Sequence, residues 1–235
     1  MKNKTSVGVI IPAFNEAKGI ATVLEVLRQV ESIDEIIIVN DGSTDNTLEI
    51  VRQSEKLDSR IRVISHEKNL GKGYAFFTAK AATQAPYLLA LDADLIGLKP
   101  CHVELLIQPV LDGQADMTLG IFHGGKWNTD LSHHMTPWLT GQRFFRSDII
   151  NHLSSEAAAG YGIETALTIA SRRLGWRVLE IPWLGVSHPP SEVHRGFFPG
   201  LYNRMKMYAH IVRTLLITLG WRQAISFVKG WKSTI

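Results

Sequence analysis

Two aspartates that follow an apolar run are the strongest candidates for chemistry in this chain. Asp92 and Asp94 come directly after the run at residues 87–91, which is typical of a buried strand. We therefore expect both carboxylates at the carboxyl end of a strand, where open α/β sheets bind their ligands. A few hard oxygen ligands suit Mg²⁺ or Mn²⁺ held together with substrate phosphates. Two solvated turn residues are the alternative interpretation.

Acidic residues also follow the apolar runs at residues 7–11 and 36–39. Glu16 comes after the first run and Asp41 after the second. Parallel strands end at the same edge of a sheet, so these carboxylates should gather there and would repel one another without a cation or hydrogen-bond donors between them. A solvated acid in a first helical turn and an ordinary turn residue are the respective alternatives.

Lys72 stands between Gly71 and Gly73, where its side chain can reach a phosphate while the flanking backbone approaches closely. The segment matches neither the Walker pattern nor the Rossmann glycine fingerprint. This argues against a P-loop enzyme and against a nicotinamide-dependent dehydrogenase.

The elements that must position these residues follow from hydrophobic periodicity. Short apolar runs alternate with amphipathic segments, which is typical of βαβ units and a largely parallel sheet. Strands are predicted at residues 7–11, 36–39, 61–64, 87–91 and 178–181, and an apolar run occupies residues 117–121. Helices are predicted at residues 20–30, from residues 43–45 onward, after residue 73 to residue 82, at 100–111, near Ser147, and at 164–174.

Four segments of the first hundred residues resemble, in order and spacing, the signatures of family 2 glycosyltransferases with the GT-A fold. They are residues 9–16, 38–45, 69–73 and 91–94. The resemblance implies an α/β protein with a mostly parallel, Rossmann-like sheet flanked by helices, and a nucleotide-sugar donor. It also implies a metal-binding DxD motif at Asp92 and Asp94, and a base and ribose held by Pro12, Ala13, Glu16 and Asp41.

The second half resembles the family more loosely. Residues 140–146 are similar to the acceptor-side segment of dolichyl-phosphate mannosyltransferase-like enzymes. This similarity implies that Gln142, Arg143 and Arg146 bind the acceptor.

Two further segments resemble the family around a glycine-rich loop and a late histidine. Residues 160–164 look like the loop that leads to a catalytic or acceptor-binding acid, here Glu164, although Thr165 replaces the second acid of the common Glu-Asp pair. Glucosyl-3-phosphoglycerate synthase-type members supply a later histidine to the metal, and His188 stands at a suitable place. An ordinary loop histidine is the alternative.

The expected mechanism follows from charge. A metal on Asp94, with Asp92 beside it and Lys72 or Arg195 nearby, would stabilise the departing nucleoside diphosphate. Glu164 could take the proton of a hydroxyl acceptor and give inversion. A phosphate acceptor needs no base, and Arg143 and Arg146 would then position it. Inversion is favoured by the family, but the phosphoglycerate-type members retain configuration, so both outcomes stay open.

Charge is distributed unevenly along the chain. The first 193 residues carry 18 basic and 22 acidic residues, whereas residues 194–235, the basic tail, carry 7 basic and none acidic. Apolar residues recur at helical spacing in the tail, which suits an amphipathic helix on anionic lipid. Packing on the body or in a homodimer is the alternative. Nucleic acid is not expected as a partner, because no recognised module accompanies the charge.

These observations predict a catalytic domain at residues 1–193, with a nucleotide-sugar half (1–100) and an acceptor half (101–193), followed by the tail. A single cysteine, Cys101, and no run of 18 apolar residues favour a cytoplasmic protein, peripheral on the cytoplasmic membrane face. The predicted function is metal-dependent transfer of a hexose from a UDP- or GDP-sugar to a lipid-linked phosphate or similar acceptor. The alternatives are transfer to a soluble phosphorylated acid, and a non-catalytic nucleotide-sugar-binding protein.

Overall fold

The computed structural model describes residues 6–123, 140–153, 162–189, 209, 212–214 and 216–219. Its strands are β1 (Val7–Ala13), β2 (Glu35–Asp41), β3 (Ile61–His66), β4 (Tyr87–Ala90), β5 (Met117–His123), β6 (Arg143–Arg146) and β7 (Val178–Leu184). Its helices are α1 (Ile20–Arg28), α2 (Thr47–Leu57), α3 (Lys72–Ala81), α4 (Pro100–Leu111) and α5 (Ile163–Arg173), with a 3₁₀ helix at Ser147–His152.

The seven strands form one sheet in the order β3-β2-β1-β4-β6-β5-β7. Strand β6 is antiparallel to both β4 and β5, and every other pair is parallel. The mostly parallel sheet predicted from the sequence is therefore confirmed. Strand β6 was not predicted, because its two phenylalanines stand between two arginines and show neither an apolar run nor an alternation of apolar and polar residues.

Apolar residues of the sheet alternate between two cores, as the period of a strand requires. Val9 and Ile11 lie in the core that packs under α1 and α4, whereas Ile10 between them lies in the core under α3 and α5. Helices therefore cover both faces, and the polar residues that follow β1, β2 and β4 lie at the carboxyl edge of the parallel strands. This edge is where the candidate site forms.

Helix α2 begins later than residues 43–45. The carboxylate of Asp45 accepts hydrogen bonds from the backbone N–H of Thr47 at 3.0 Å and of Ala17 at 3.2 Å. Asp45 therefore braces the start of α2 against the loop after β1, while Asn46 is the N-cap residue. The helix thus begins two residues after the predicted start at residues 43–45.

Most of the basic tail lies outside the described residues. The backbone carbonyl of Thr218 accepts a hydrogen bond of 2.7 Å from Arg173 at the end of α5. Val212 and Ile217 are about half exposed, at 51% and 47%. In the part of the chain that the structure describes, no helix is long and apolar enough to cross a bilayer. The division into a body and a tail stays a prediction.

Candidate active site

Three predicted metal ligands meet at the carboxyl edge of the sheet. One ligand atom from each of Asp92, Asp94 and His188 lies within 4.8 Å of the other two. His188 Nδ1 is 2.8 Å from Asp94 Oδ1, and His188 Nε2 is 3.5 Å from Asp92 Oδ2. Carboxylate oxygens suit Mg²⁺ and Mn²⁺, and an imidazole supplies a further ligand, so this set fits a divalent cation.

His188 reaches the aspartates because two backbone segments pair beside it. Ile96 and Ser187 exchange backbone hydrogen bonds of 2.9 and 3.0 Å, which joins the loop after Asp94 to the segment after β7. The ring of Phe122 contacts the imidazole edge-on at 5.0 Å between centroids. Burial lowers the pKa of His188, but the hydrogen bond that its ring donates to Asp94 and the charges of Asp92 and Asp94 outweigh burial and raise that pKa overall.

Lys72 lies between two carboxylates. Its Nζ is 2.7 Å from Asp92 Oδ1 and 2.6 Å from Glu164 Oε1. Burial lowers the pKa of Lys72, but the charges of Asp92 and Glu164 more than offset this and hold that pKa above its usual value. The ammonium is therefore a fixed positive charge beside the candidate metal ligands, where a diphosphate would develop negative charge.

Asp92 is held from a second side by Gln142. The side-chain amide of Gln142 donates to Asp92 Oδ2 at 2.5 Å and accepts from the Asp92 backbone N–H at 3.0 Å. Burial raises the pKa of Asp92, but the charges of Lys72 and His188 and the hydrogen bonds from Lys72 and Gln142 lower it to about 2. The carboxylate is therefore ionised at neutral pH.

Arg143 is buried rather than open to an acceptor, with 1% of its surface exposed. Its Nε donates to the backbone carbonyl of Thr140 at 2.8 Å, and its Nη1 donates to Thr168 Oγ1 at 2.9 Å. Burial lowers its pKa to about 10, opposed by the charge of Glu164. Arg143 lines one small cavity together with Pro12, Lys72 and Glu164. It therefore contributes positive charge beneath the site.

The loops after β1 and β2, predicted to hold the nucleotide, are bonded to each other. Asn15 Oδ1 accepts from the backbone N–H of Thr44 at 2.8 Å, and the Asn15 backbone N–H donates to Ser43 Oγ at 3.0 Å. The backbone N–H of Glu16 donates to Thr47 Oγ1 at 2.8 Å. Asn15 has a φ of 58°, an uncommon conformation that asparagine tolerates. The two loops thus form one surface.

Asp41 is buried and holds the segment that precedes Lys72. Its carboxylate accepts from the backbone N–H groups of Leu70 at 2.9 Å and Gly71 at 2.7 Å, and lies 2.7 Å from His66 Nδ1. Only 2% of Asp41 is exposed. Its predicted contact with the base or ribose stays a prediction, and its observed contacts tie β2 to the start of α3.

Among the described residues, Arg146 does not join this cluster. Arg146 pairs across the sheet with Tyr87, the first residue of β4, whereas Arg143 pairs with Ala90, the last. Three residues of strand, about 10 Å, therefore separate Arg146 from the carboxyl edge. Arg146 instead lies 2.5 Å from Asp148 and over the ring of Trp176. The expected contact between Arg146 and the acceptor stays a prediction, and Arg195 lies outside the described residues.

The other residues predicted to bind the nucleotide lie at the end of β1 and in the turn that follows it, and their contacts with a nucleotide stay predictions. Pro12 lines the small cavity, Ala13 ends β1 in a buried position, and Glu16 begins the turn into α1. Residues missed by the sequence analysis include Asn15, and the role of Gln142 as a partner of Asp92. No local signal marks the second role, because the two residues lie on different elements.

The seven-stranded, mostly parallel sheet flanked by helices is a GT-A fold, and it carries two aspartates and a histidine at its carboxyl edge. The family model for glycosyl transferase family 2 matches residues 8–163. The chain belongs to this family, as its sequence motifs predicted.

Individual relatives support the same family. The chain is 30% identical over 219 residues to glucosyl-3-phosphoglycerate synthase of Mycobacterium tuberculosis, an alignment that covers 77% of this chain and 65% of that protein. It is also 32% identical over 140 residues to glycosyltransferase GlyG of Streptococcus pneumoniae, covering 59% of this chain and 45% of GlyG. The chain therefore spans less than two thirds of the length of these curated relatives.

Solved structures of the mycobacterial synthase are similar in fold. A complex with Mn²⁺, uridine diphosphate and glucosyl-3-phosphoglycerate aligns with a TM-score of 0.72 and 26% identity, over 90% of this chain and 79% of that one. A complex with Mg²⁺ and uridine diphosphate aligns with the same TM-score. The neighbours thus contain the two cations that the DxD motif predicted.

Proposed function

We propose that this chain is a metal-dependent glycosyltransferase that moves a hexosyl group from a UDP-sugar to a small phosphorylated acceptor. The observation that carries this proposal is the convergence of Asp92, Asp94 and His188 at the carboxyl edge, with Lys72 beside them. The mycobacterial synthase, whose structures include UDP-glucose and phosphoglyceric acid, supports the choice of donor and acceptor.

Asp92, Asp94 and His188 would hold a divalent cation. Such an ion, when bound, neutralises the negative charge that develops on the departing diphosphate. The chain's own residues would do the rest. Lys72 holds a second positive charge at the same place, the loops around Asn15 and Thr44 offer a preformed surface for the nucleotide, and the loop before α3 is fixed by Asp41.

The acceptor expected from the sequence alone was a lipid-linked phosphate. The relatives favour instead the soluble phosphorylated acid that stood as the alternative. The observation that favours a lipid acceptor is the basic tail, with 7 basic and no acidic residues. Peripheral membrane binding and a homodimer rest on the same tail and stay predictions.

The proposal is tested in two stages. Thermal unfolding with Mn²⁺ and a panel of nucleotides should show an increase in melting temperature with UDP or UDP-glucose, which Asp94→Ala abolishes. Stabilisation by no nucleotide would refute a donor site. Product formation from UDP-glucose is then compared between 3-phosphoglycerate and a polyprenyl phosphate in vesicles. Binding of the donor without hydrolysis or transfer to either acceptor would identify a non-catalytic binding protein.

A further inference from the structure

Gln142 is fixed at the point where the chain enters β6. No part of the residue is exposed. Its backbone carbonyl accepts a hydrogen bond of 2.8 Å from Gly120 in β5, and its backbone N–H donates to Thr140 Oγ1 at 3.2 Å. A side chain anchored in this way has little freedom to reach an acceptor molecule.

Both polar atoms of the Gln142 side chain form hydrogen bonds with one residue, Asp92. Its Nε2 donates to Asp92 Oδ2 at 2.5 Å, and its Oε1 accepts from the Asp92 backbone N–H at 3.0 Å. These two bonds close a ring that fixes the backbone and the carboxylate of Asp92 relative to each other. A neutral amide does so without adding a positive charge that would oppose a bound cation.

The surroundings also restrict the orientation of the Asp92 carboxylate. Lys72 Nζ lies 2.7 Å from Asp92 Oδ1, whereas Gln142 donates to the other carboxylate oxygen, Oδ2. A Cβ added at Gly141 would lie 2.7 Å from Oδ2 and 2.8 Å from Oδ1, closer than such atoms can approach. The glycine therefore provides the space in which Gln142 and Asp92 meet.

We propose that Gln142 is a positioning residue that sets the orientation in which Asp92 meets a divalent cation, rather than a residue that binds the acceptor. The inference rests on the proposed metal-dependent function. Partners that orient a metal ligand typically change metal affinity by about 10- to 100-fold when they are removed. The amide of Gln142 occupies that place relative to Asp92.

The test measures Mn²⁺ binding in the absence of nucleotide, by the electron paramagnetic resonance signal of the free ion. Gln142→Met keeps the side-chain length and removes both hydrogen bonds, and we expect the Mn²⁺ dissociation constant to rise about tenfold. Thr118→Val is the matched control. It removes one buried hydrogen bond, to the carbonyl of Leu106, from the neighbouring strand β5. It should lower the melting temperature without changing Mn²⁺ affinity.

Gly141→Ala provides an independent variant, because it displaces the same carboxylate while Gln142 remains. It should also weaken Mn²⁺ binding, and it decides the question alone if Gln142→Met does not fold. Wild-type Mn²⁺ affinity in the folded variants would overturn the inference and leave the proposed function standing. Weakened Mn²⁺ binding in the variants, together with a wild-type protein that neither hydrolyses UDP-glucose nor transfers its sugar, would support the inference and refute the function. No Mn²⁺ binding by the wild-type protein would overturn both.

Discussion

The ammonium of Lys72 lies 2.6 Å from a carboxylate oxygen of Glu164. This contact joins the start of α3 in the first half of the chain to the start of α5 in the second. The same ammonium lies 2.7 Å from Asp92, so Lys72 links Glu164 to a candidate metal ligand. Glu164 therefore has a structural partner already, in addition to the general-base role that the family resemblance suggested.

A double-mutant cycle distinguishes the two roles of Glu164. If it acts through Lys72, Glu164→Gln and Lys72→Met should each lower turnover, and the double variant should lose little more than Lys72→Met alone, because contacting residues are coupled. If Glu164 takes the acceptor's proton independently, the two losses should multiply. The measurement is kcat and KM for UDP-glucose with 3-phosphoglycerate in all four proteins.

Replacing His188 should weaken the metal site. His188→Ala removes one of the three converging ligand atoms, so the Mn²⁺ dissociation constant should rise by at least about tenfold. His152→Ala is the control, because this histidine is exposed in the 3₁₀ helix. Equal Mn²⁺ affinity in the two variants, measured by titration calorimetry, would show that His188 is an ordinary loop residue.

The bond between Asn15 and Thr44 should contribute to nucleotide binding. Asn15→Gly keeps the positive φ but loses the acceptor of the 2.8 Å hydrogen bond, and we expect about fivefold weaker UDP binding. Asn15→Ala should weaken UDP binding to the same extent and also lower the melting temperature, since alanine is strained at this φ. Asn46→Ala, at an exposed residue with no capping bond, should leave UDP affinity unchanged. A shift in Mn²⁺ affinity with Asn15→Gly would point to a wider disruption.

Asp58 should make folding stability depend on pH. Arg60 hydrogen-bonds to its carboxylate at 2.8 Å and also to the carbonyls of Arg28, Val30 and Ile33, which ties α1 to the loop before β3. The hydrogen bond from Arg60 lowers the pKa of Asp58 despite burial. The ionised form therefore stabilises the protein above the unfolded-state pKa, and this is lost as the pH falls through the lower folded-state pKa.

Asp58→Asn should therefore lower the free energy of unfolding by about 1 to 2 kcal/mol at pH 7. The difference from the wild-type protein should shrink below about pH 4, where the wild-type carboxyl becomes protonated. Urea unfolding of both proteins at pH 7, 5 and 3.5 measures this difference in the free energy of unfolding. A difference that stays constant over this range would mean that Asp58 contributes through packing and not through charge.

The basic tail is expected to bind anionic membranes. Replacing Arg204, Lys206, Arg213 and Arg222 by glutamine should reduce flotation with phosphatidylserine vesicles at low salt, because each basic residue near such a surface contributes about 1 kcal/mol. Glutamine at four exposed basic residues of the body, Arg52, Lys56, Arg62 and Lys99, is the charge-matched control. Donor binding should be unchanged in both variants. Failure of the wild-type protein to float would refute the membrane role.

The sequence by itself determined the first half of the protein well. The strands and helices between Val7 and Leu111 lie within a few residues of their predicted bounds, because apolar period and turn residues are local signals. The rule that parallel strands end at one edge also placed Asp92 and Asp94 correctly relative to the sheet.

The tertiary structure alone decided which distant side chains meet. Strand β6 runs antiparallel between β4 and β5, and its register brings Gln142 to Asp92 while it leaves Arg146 at the opposite edge. The contact between Lys72 and Glu164 likewise depends on how α3 and α5 pack on the same face of the sheet. Sequence periodicity describes neighbours along the chain, whereas these contacts are set by strand register and helix packing between segments far apart in sequence.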